Sequence, residues 1–228
     1  MEAFTLLLGI LAVGGGWYWL HHTNLVERQR MADILGLAVL PRGVQESGDD
    51  YIRGRFQQTL LMSGQMHGHP AGVWLRSVKR SAGSTSQDRS MYSVLAFDLP
   101  ADTQARFRIE PAITGKMLSF FGGDQPAVPT GDAEFDRFFR FASPDADAAE
   151  KYLDPRMREL LLAFRQGVAG ELPYNKAGQF AGDFLMGTFA VEPGRATYIL
   201  RGTPSEKIAR HFEMAARFLA DFARLAGG

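Results

Sequence analysis

Four stretches, Arg53–Met62 (RGRFQQTLLM), Ala71–Val78 (AGVWLRSV), Met91–Leu99 (MYSVLAFDL) and Arg106–Glu110 (RFRIE), decide the fold. Each is a short apolar or alternating run, and the last has the polar/apolar alternation of a half-buried strand. What separates them is turn chemistry. Ser63-Gly64 and Gly68-His69-Pro70 lie between the first two, and Ser81-Ala82-Gly83-Ser84-Thr85-Ser86 reads as a flexible hairpin tip between the second and third. A parallel crossover needs about a dozen residues, usually helical, and no such pattern intervenes. The sheet is therefore expected to be mainly antiparallel.

Beyond Pro129 helical signals take over. Ser143-Pro144 and Asp154-Pro155 each combine an N-cap residue with proline at the first helical position, predicting helices over Asp145–Leu153 and Arg156–Gln166, the second stopped by Gly167. A strand pair is expected within Glu171–Leu200, as Phe184–Val191 and Thr197–Leu200 around the turn Glu192-Pro193-Gly194-Arg195. Thr203, Pro204 and Glu206 read as a capping box, and Ile208, Phe212, Ala215, Leu219 and Phe222 follow at alternating spacings of four and three. That stripe predicts a final helix packed on the sheet. The fold class is α+β, a mainly antiparallel sheet packed with helices.

Ahead of this lies a segment of different character. Ala3–Leu20 holds eighteen residues without a charge, which as a helix reach about 27 Å, close to the hydrocarbon thickness of a bilayer. Trp17, Tyr18 and Trp19 close the run with rings that favour the headgroup level, and polar His21 and His22 follow. Residues 1–23 are thus expected to be one N-terminal transmembrane helix, with those three aromatics as membrane anchors. A cleaved signal peptide ending near Ala12-Val13-Gly14 is the rival; only Met1 and Glu2 precede the apolar run, and neither is basic. Arg28, Arg30 and Arg42 follow the span, so the expected location is the cell inner membrane, single-pass, with the soluble domain cytoplasmic. Gly9 and Gly14 miss the spacing for close helix dimerisation.

Asn24 and Glu27 have capping-box spacing, and Leu25, Met31, Ile34, Leu35 and Ala38 recur at helical intervals up to a stop at Gly36 or Pro41. Arg42–Asp50, polar with two glycines, reads as a connection. The expected organisation is an anchor over 1–23, an amphipathic helix and linker over 24–50, and one soluble α+β domain over 51–228.

Composition narrows the chemistry. Twenty-five Lys and Arg balance twenty-five Asp and Glu, so no global field draws the chain to nucleic acid, and none is expected as a partner. Without cysteine, disulfides, thiolate zinc sites, iron–sulfur clusters and thiol nucleophiles are excluded. Phosphate-loop, dinucleotide, nucleophile-elbow and HExxH signatures are missing. Two imidazoles as close as His67 and His69 can share a metal if a third ligand arrives, yet an exposed hairpin tip explains them more simply. The acidic cluster around Asp132, Phe135 and Asp136 can line an extended segment and hold a divalent cation; local pairing with Arg137 and Arg140 in a strand or turn is the simpler account. Arg53/Arg55 and Arg106/Arg108 each share a sheet face, and if their strands were neighbours that face would attract anionic lipid or an acidic partner. No catalytic residue, metal or cofactor is assigned.

The run Gly131-Asp132-x-x-Phe135-Asp136-x-x-Phe139, then Ser143-x-Asp145, then Ala149-x-x-Tyr152-Leu153-x-Pro155-x-Met157-x-Glu159-Leu160-Leu161 resembles a pattern in bacterial membrane-associated proteins grouped as a domain of unknown function. In that family an acidic-Phe-acidic turn precedes a short helix, a Leu-x-Pro corner and a second helix. The resemblance implies fold and membrane association, and carries over no catalytic residue. The expected function is a membrane-anchored, noncatalytic interaction or scaffold domain, partnered by the membrane and another membrane protein. A ligand- or anionic-lipid-binding module and a metal-assisted hydrolase using His67, His69 and the Asp132/Asp136 region are the alternatives.

Overall fold

A computed structural model of the chain describes residues 25–50, 54–79, 89–112, 126–170 and 186–226. The expected anchor, with Trp17, Tyr18 and Trp19, lies outside them. Among the described residues no helix is long and apolar enough to cross a membrane.

The chain opens with α1 (residues 25–35), which buries Met31, Ala32 and Leu35 and ends at Gly36, in the left-handed region with φ 65°. Then come β1 (Ala38–Asp50), β2 (Gly54–Met66), β3 (His69–Lys79), β4 (Arg89–Asp98) and β5 (Phe107–Pro111). Two short elements, α2 (Ala133–Phe138) and β6 (Phe139–Ala142), lead to α3 (Ala148–Tyr152) and α4 (Pro155–Gly170). The chain closes with β7 (Thr188–Glu192), β8 (Arg195–Arg201) and α5 (Glu206–Ala226). Among the described residues all eight strands join one sheet in the order β1-β2-β3-β4-β8-β7-β5-β6, and every pairing is antiparallel. The first four form a meander. The late hairpin β7–β8 is inserted between β4 and β5, closing a gap the earlier chain left open.

Three expectations are corrected. The stretch Arg42–Asp50 is not a linker but the main part of β1, paired with β2 from Val44↔Leu60 to Asp50↔Gly54. Pro41, which reads as a breaker, falls where the register shifts between Val39 and Val44, and an edge strand tolerates proline at such an irregularity. Gly167 does not stop α4, which runs on to Gly170. The final helix is capped by Ser205 rather than Thr203: the Ile208 N–H donates to Ser205 Oγ at 3.4 Å, two residues later than the sequence signal placed it.

Register explains where the core sits. Met62, Val73, Leu95, Tyr198, Phe189, Ile109 and Phe141 stand directly opposite one another across seven consecutive strands, each 2 % exposed or less. Alternation along each strand puts Phe97, Ala196, Val191 and Phe107 on the same face. The stripe of α5 lies over it, contributing Phe212, Ala215, Leu219 and Phe222, all fully buried. Ring contacts tie the layers: Phe107 meets Phe141 at 5.4 Å, Tyr152 at 5.0 Å and Phe222 at 5.2 Å, while Phe189 meets Tyr198 at 4.6 Å. Phe164 of α4 approaches Phe218 and Phe189 edge-on at 5.5 and 5.9 Å. The opposite face is smaller and more polar. There Trp74, Val94 and Ala96 cluster with Leu60 and Ile199, Arg195 lies 5.4 Å over the Trp74 ring, and buried Arg76 donates twice to its cross-strand partner Gln58 at 3.1 and 2.9 Å.

Gly187 is required beside this core, because a Cβ there would stand 2.5 Å from the Ile199 carbonyl oxygen and 2.8 Å from the Tyr198 ring. Gly187→Ala is predicted to lower stability by about 1–3 kcal/mol in urea unfolding, through forced backbone shifts. The Tyr198 hydroxyl is fully buried without a hydrogen-bond partner among the described residues, and burial pushes its pKa above the usual value of 10.0. Below about pH 10 both folded and unfolded phenols are protonated; above it only the unfolded chain releases the proton, so stability falls as pH rises. Tyr198→Phe should raise stability by about 1 kcal/mol at neutral pH and lessen that alkaline fall, both read from denaturation midpoints.

Candidate functional site

The acidic cluster forms neither the cation-binding extended segment nor the strand or turn with local ion pairing that was the simpler expectation; it starts a helix. The Asp132 carboxylate caps α2, accepting the N–H groups of Glu134 and Phe135 at 3.0 Å each. Phe135 points into the core, fully buried and stacked on Phe139 at 4.8 Å. Asp136 accepts from Thr130 Oγ1 at 2.8 Å and from the Thr130 N–H at 3.3 Å, closing the preceding loop. Arg158 of α4 donates to the Thr130 carbonyl at 2.9 Å and lies 3.9 Å from Asp132. These residues therefore fasten loop, α2 and α4 together, and both carboxylates are engaged in that task.

The following residues repeat the design. Ser143 Oγ donates to the Arg106 carbonyl at 2.7 Å and accepts the Asp145 N–H at 3.1 Å, so the predicted N-cap forms a turn ahead of α3 instead. Asp154 caps α4 as expected, accepting the Met157 N–H at 2.7 Å. Lys151 Nζ reaches Asp145 at 2.9 Å on the surface.

On the reverse of β5 and β6 is a charged cluster that the sequence reading passed over. Glu110, 2 % exposed, accepts from Arg140 Nη1 at 2.6 Å and lies 3.7 Å from Arg108 Nε. Arg108 and Glu110 are two residues apart on one strand and so share a face, and register places Arg140 opposite Glu110. The alternation of Arg106–Glu110 contained that signal; the partner from β6 was missed because Arg140 was assigned to pair locally with the acidic cluster, not across strands with Glu110. Beside it a groove of about 410 Å³ is lined by Ala112, Ala127, Val128, Pro129, Asp136, Phe139, Arg140 and Phe141. Among the described lining residues most are apolar, and Asp136 and the part-exposed Arg140 are polar. The edge of β6 is covered here, since Val128 N–H donates to the Phe141 carbonyl at 2.9 Å and Ser143 N–H to the Pro126 carbonyl at 3.2 Å.

Two other expected constellations are not assembled. Arg55 lies on β2 and Arg108 on β5, with β3, β4, β8 and β7 between them, so the two arginine pairs do not build one cationic face. Arg108 is moreover buried beside Glu110, and Arg53 lies outside the described residues. His67, with φ 51°, and Gly68 form the two-residue turn of the β2–β3 hairpin; His67 is exposed and His69 stacks on Phe97 at 5.7 Å. Among the described residues no three His, Asp or Glu side chains gather as a metal would need.

Breaking the buried cluster should cost more than breaking the cap. Glu110→Ala leaves guanidinium groups facing a buried gap and is predicted to lower stability by about 3–5 kcal/mol, whereas Asp132→Ala should cost about 1 kcal/mol. Equilibrium urea unfolding of both variants, measured side by side, checks the ranking.

No protein-family model matches this chain, and no curated protein does. Among solved structures, the crystal structure of the mycobacterial trehalose monomycolate transport factor A is similar with a TM-score of 0.53 at 14 % identity, over 87 % of this chain and 93 % of that one. At that identity the likeness is one of fold: the chain shares the α+β architecture, antiparallel sheet and packed helices together, of that transport factor.

Proposed function

We propose that this protein is a membrane-anchored, noncatalytic accessory factor that engages another membrane protein, one of the transport class. The observation carrying the reading is the fold shared with a transport factor across nearly the whole of both chains. Two features of this chain support it independently. The uncharged run Ala3–Leu20 ends five residues before α1 is under way, and α1 is fixed to the domain by Met31, Ala32 and Leu35. An anchor joined to such a helix holds the domain close to the bilayer, where restriction to two dimensions raises its effective concentration near membrane partners. In this reading the chain is single-pass in the inner membrane with the soluble domain cytoplasmic, following the cations after the span.

A second reading, a binding module for a small amphipathic ligand, is favoured by one observation, the groove that combines apolar walls with Arg140. Cross-linking in native membranes, followed by detergent extraction with the full chain as bait, separates the two. The accessory role predicts enrichment of a multi-spanning transport protein, reduced by removal of residues 1–23. Recovery of the chain alone, with a co-purified lipid or metabolite, would favour the ligand-binding reading and count against the accessory one.

A further inference from the structure

Of the two arginines in α1, one has a counter-ion among the described residues and the other has none there. Arg30 Nη1 meets Glu27 at 3.2 Å. The positions one turn from Arg28 are Asn24, Leu25, Met31 and Ala32, none of them acidic, and among the described residues no hydrogen bond or ion pair reaches its guanidinium. Arg28 is nonetheless half-buried. Taking a cation partly out of water without a compensating anion is unfavourable, so such a group is held ready for one. Partial burial pulls the Arg28 pKa down from its usual value, but an arginine remains charged at any physiological pH. The chain outside the described residues says where the anion comes from. Leu20, the last residue of the uncharged run, is five residues before Leu25, no more than about 18 Å even when fully extended, so α1 lies at headgroup depth if the run is in the bilayer.

We infer that Arg28 is this protein's contact with an anionic phospholipid, its guanidinium taking the headgroup phosphate where α1 leaves the membrane. The inference rests on the anchored reading above. A planar guanidinium suits phosphate through two parallel N–H···O bonds, and a phosphate arriving there supplies the missing counter-charge. It also moves lipid recognition away from the sheet, whose arginine pairs do not meet, to the one helix adjoining the anchor.

The test uses the full chain in nanodiscs of phosphatidylcholine mixed with phosphatidylglycerol, counting by native mass spectrometry the lipids retained on release. The wild type should retain phosphatidylglycerol over phosphatidylcholine by about five-fold, the effect of one basic side chain at an anionic surface. Arg28→Gln should bring that ratio to about one. Arg28→Lys, which keeps the charge but not the planar fork, should give a ratio between those of the wild type and Arg28→Gln, and Arg30→Gln should leave the wild-type ratio unchanged. Excess inorganic phosphate should not displace the lipid. Retention of the preference in Arg28→Gln, equal loss in Arg30→Gln, or full displacement by inorganic phosphate overturns the inference while leaving the anchor standing. Failure of the chain to enter the discs overturns the anchored reading itself, and this inference with it.

Discussion

The register row that runs from Met62 through Tyr198 and Phe189 to Phe141 is the constraint from which the rest of the molecule follows. Side chains alternate along a strand with a period of two, so a slip of one residue in β5 or β6 would turn a phenylalanine to the outer face and an arginine to the core. Because the row crosses seven strands, the meander, the late hairpin and the β5–β6 pair are all fixed by the same burial. α5 then has one place to go, over the aromatics, and its alternating stripe matches the twisted surface they form.

The candidate site is the other side of that row. Ile109 and Phe141 face the helices, and so Arg108, Glu110 and Arg140 must face away, where they pair among themselves. The same end of the sheet carries the Asp132 cap, the Asp136 clasp on Thr130 and the Arg158 contact, which together hold α2 and α4 against β6. The groove lies at this hydrogen-bonded end of the sheet. The acidic pattern that stands out in the sequence is thus explained by local architecture: its carboxylates hold backbone and loop, and its phenylalanine is core.

Local signals were legible and long-range ones were not. The five-residue stripe from Ile208 to Phe222 gave the last helix directly, and the Pro193-Gly194 turn gave the β7–β8 hairpin, because each depends on near neighbours alone. Caps were legible in kind but not in place: Thr203 and Ser205 both offer a hydroxyl near Pro204, and only packing decides between them. β1 was hidden because Pro41, Gly43 and Gly48 look like a connection, yet an edge strand paired on one side tolerates a bulge and a missing donor. β6 was hidden by its length of four residues. The insertion of β7–β8 between β4 and β5 has no local signature, and with it went any view of which arginines are neighbours.

The account turns on whether residues 1–23 remain in the chain and in the lipid while the folded part hangs from α1. Alkaline carbonate extraction of native membranes, followed by intact-mass measurement of the recovered protein, tests this directly. The expected result is a full-length chain in the membrane pellet, its mass including Met1 through Leu20. A shortened chain in the supernatant, beginning near Ala12 to Gly16, would contradict it.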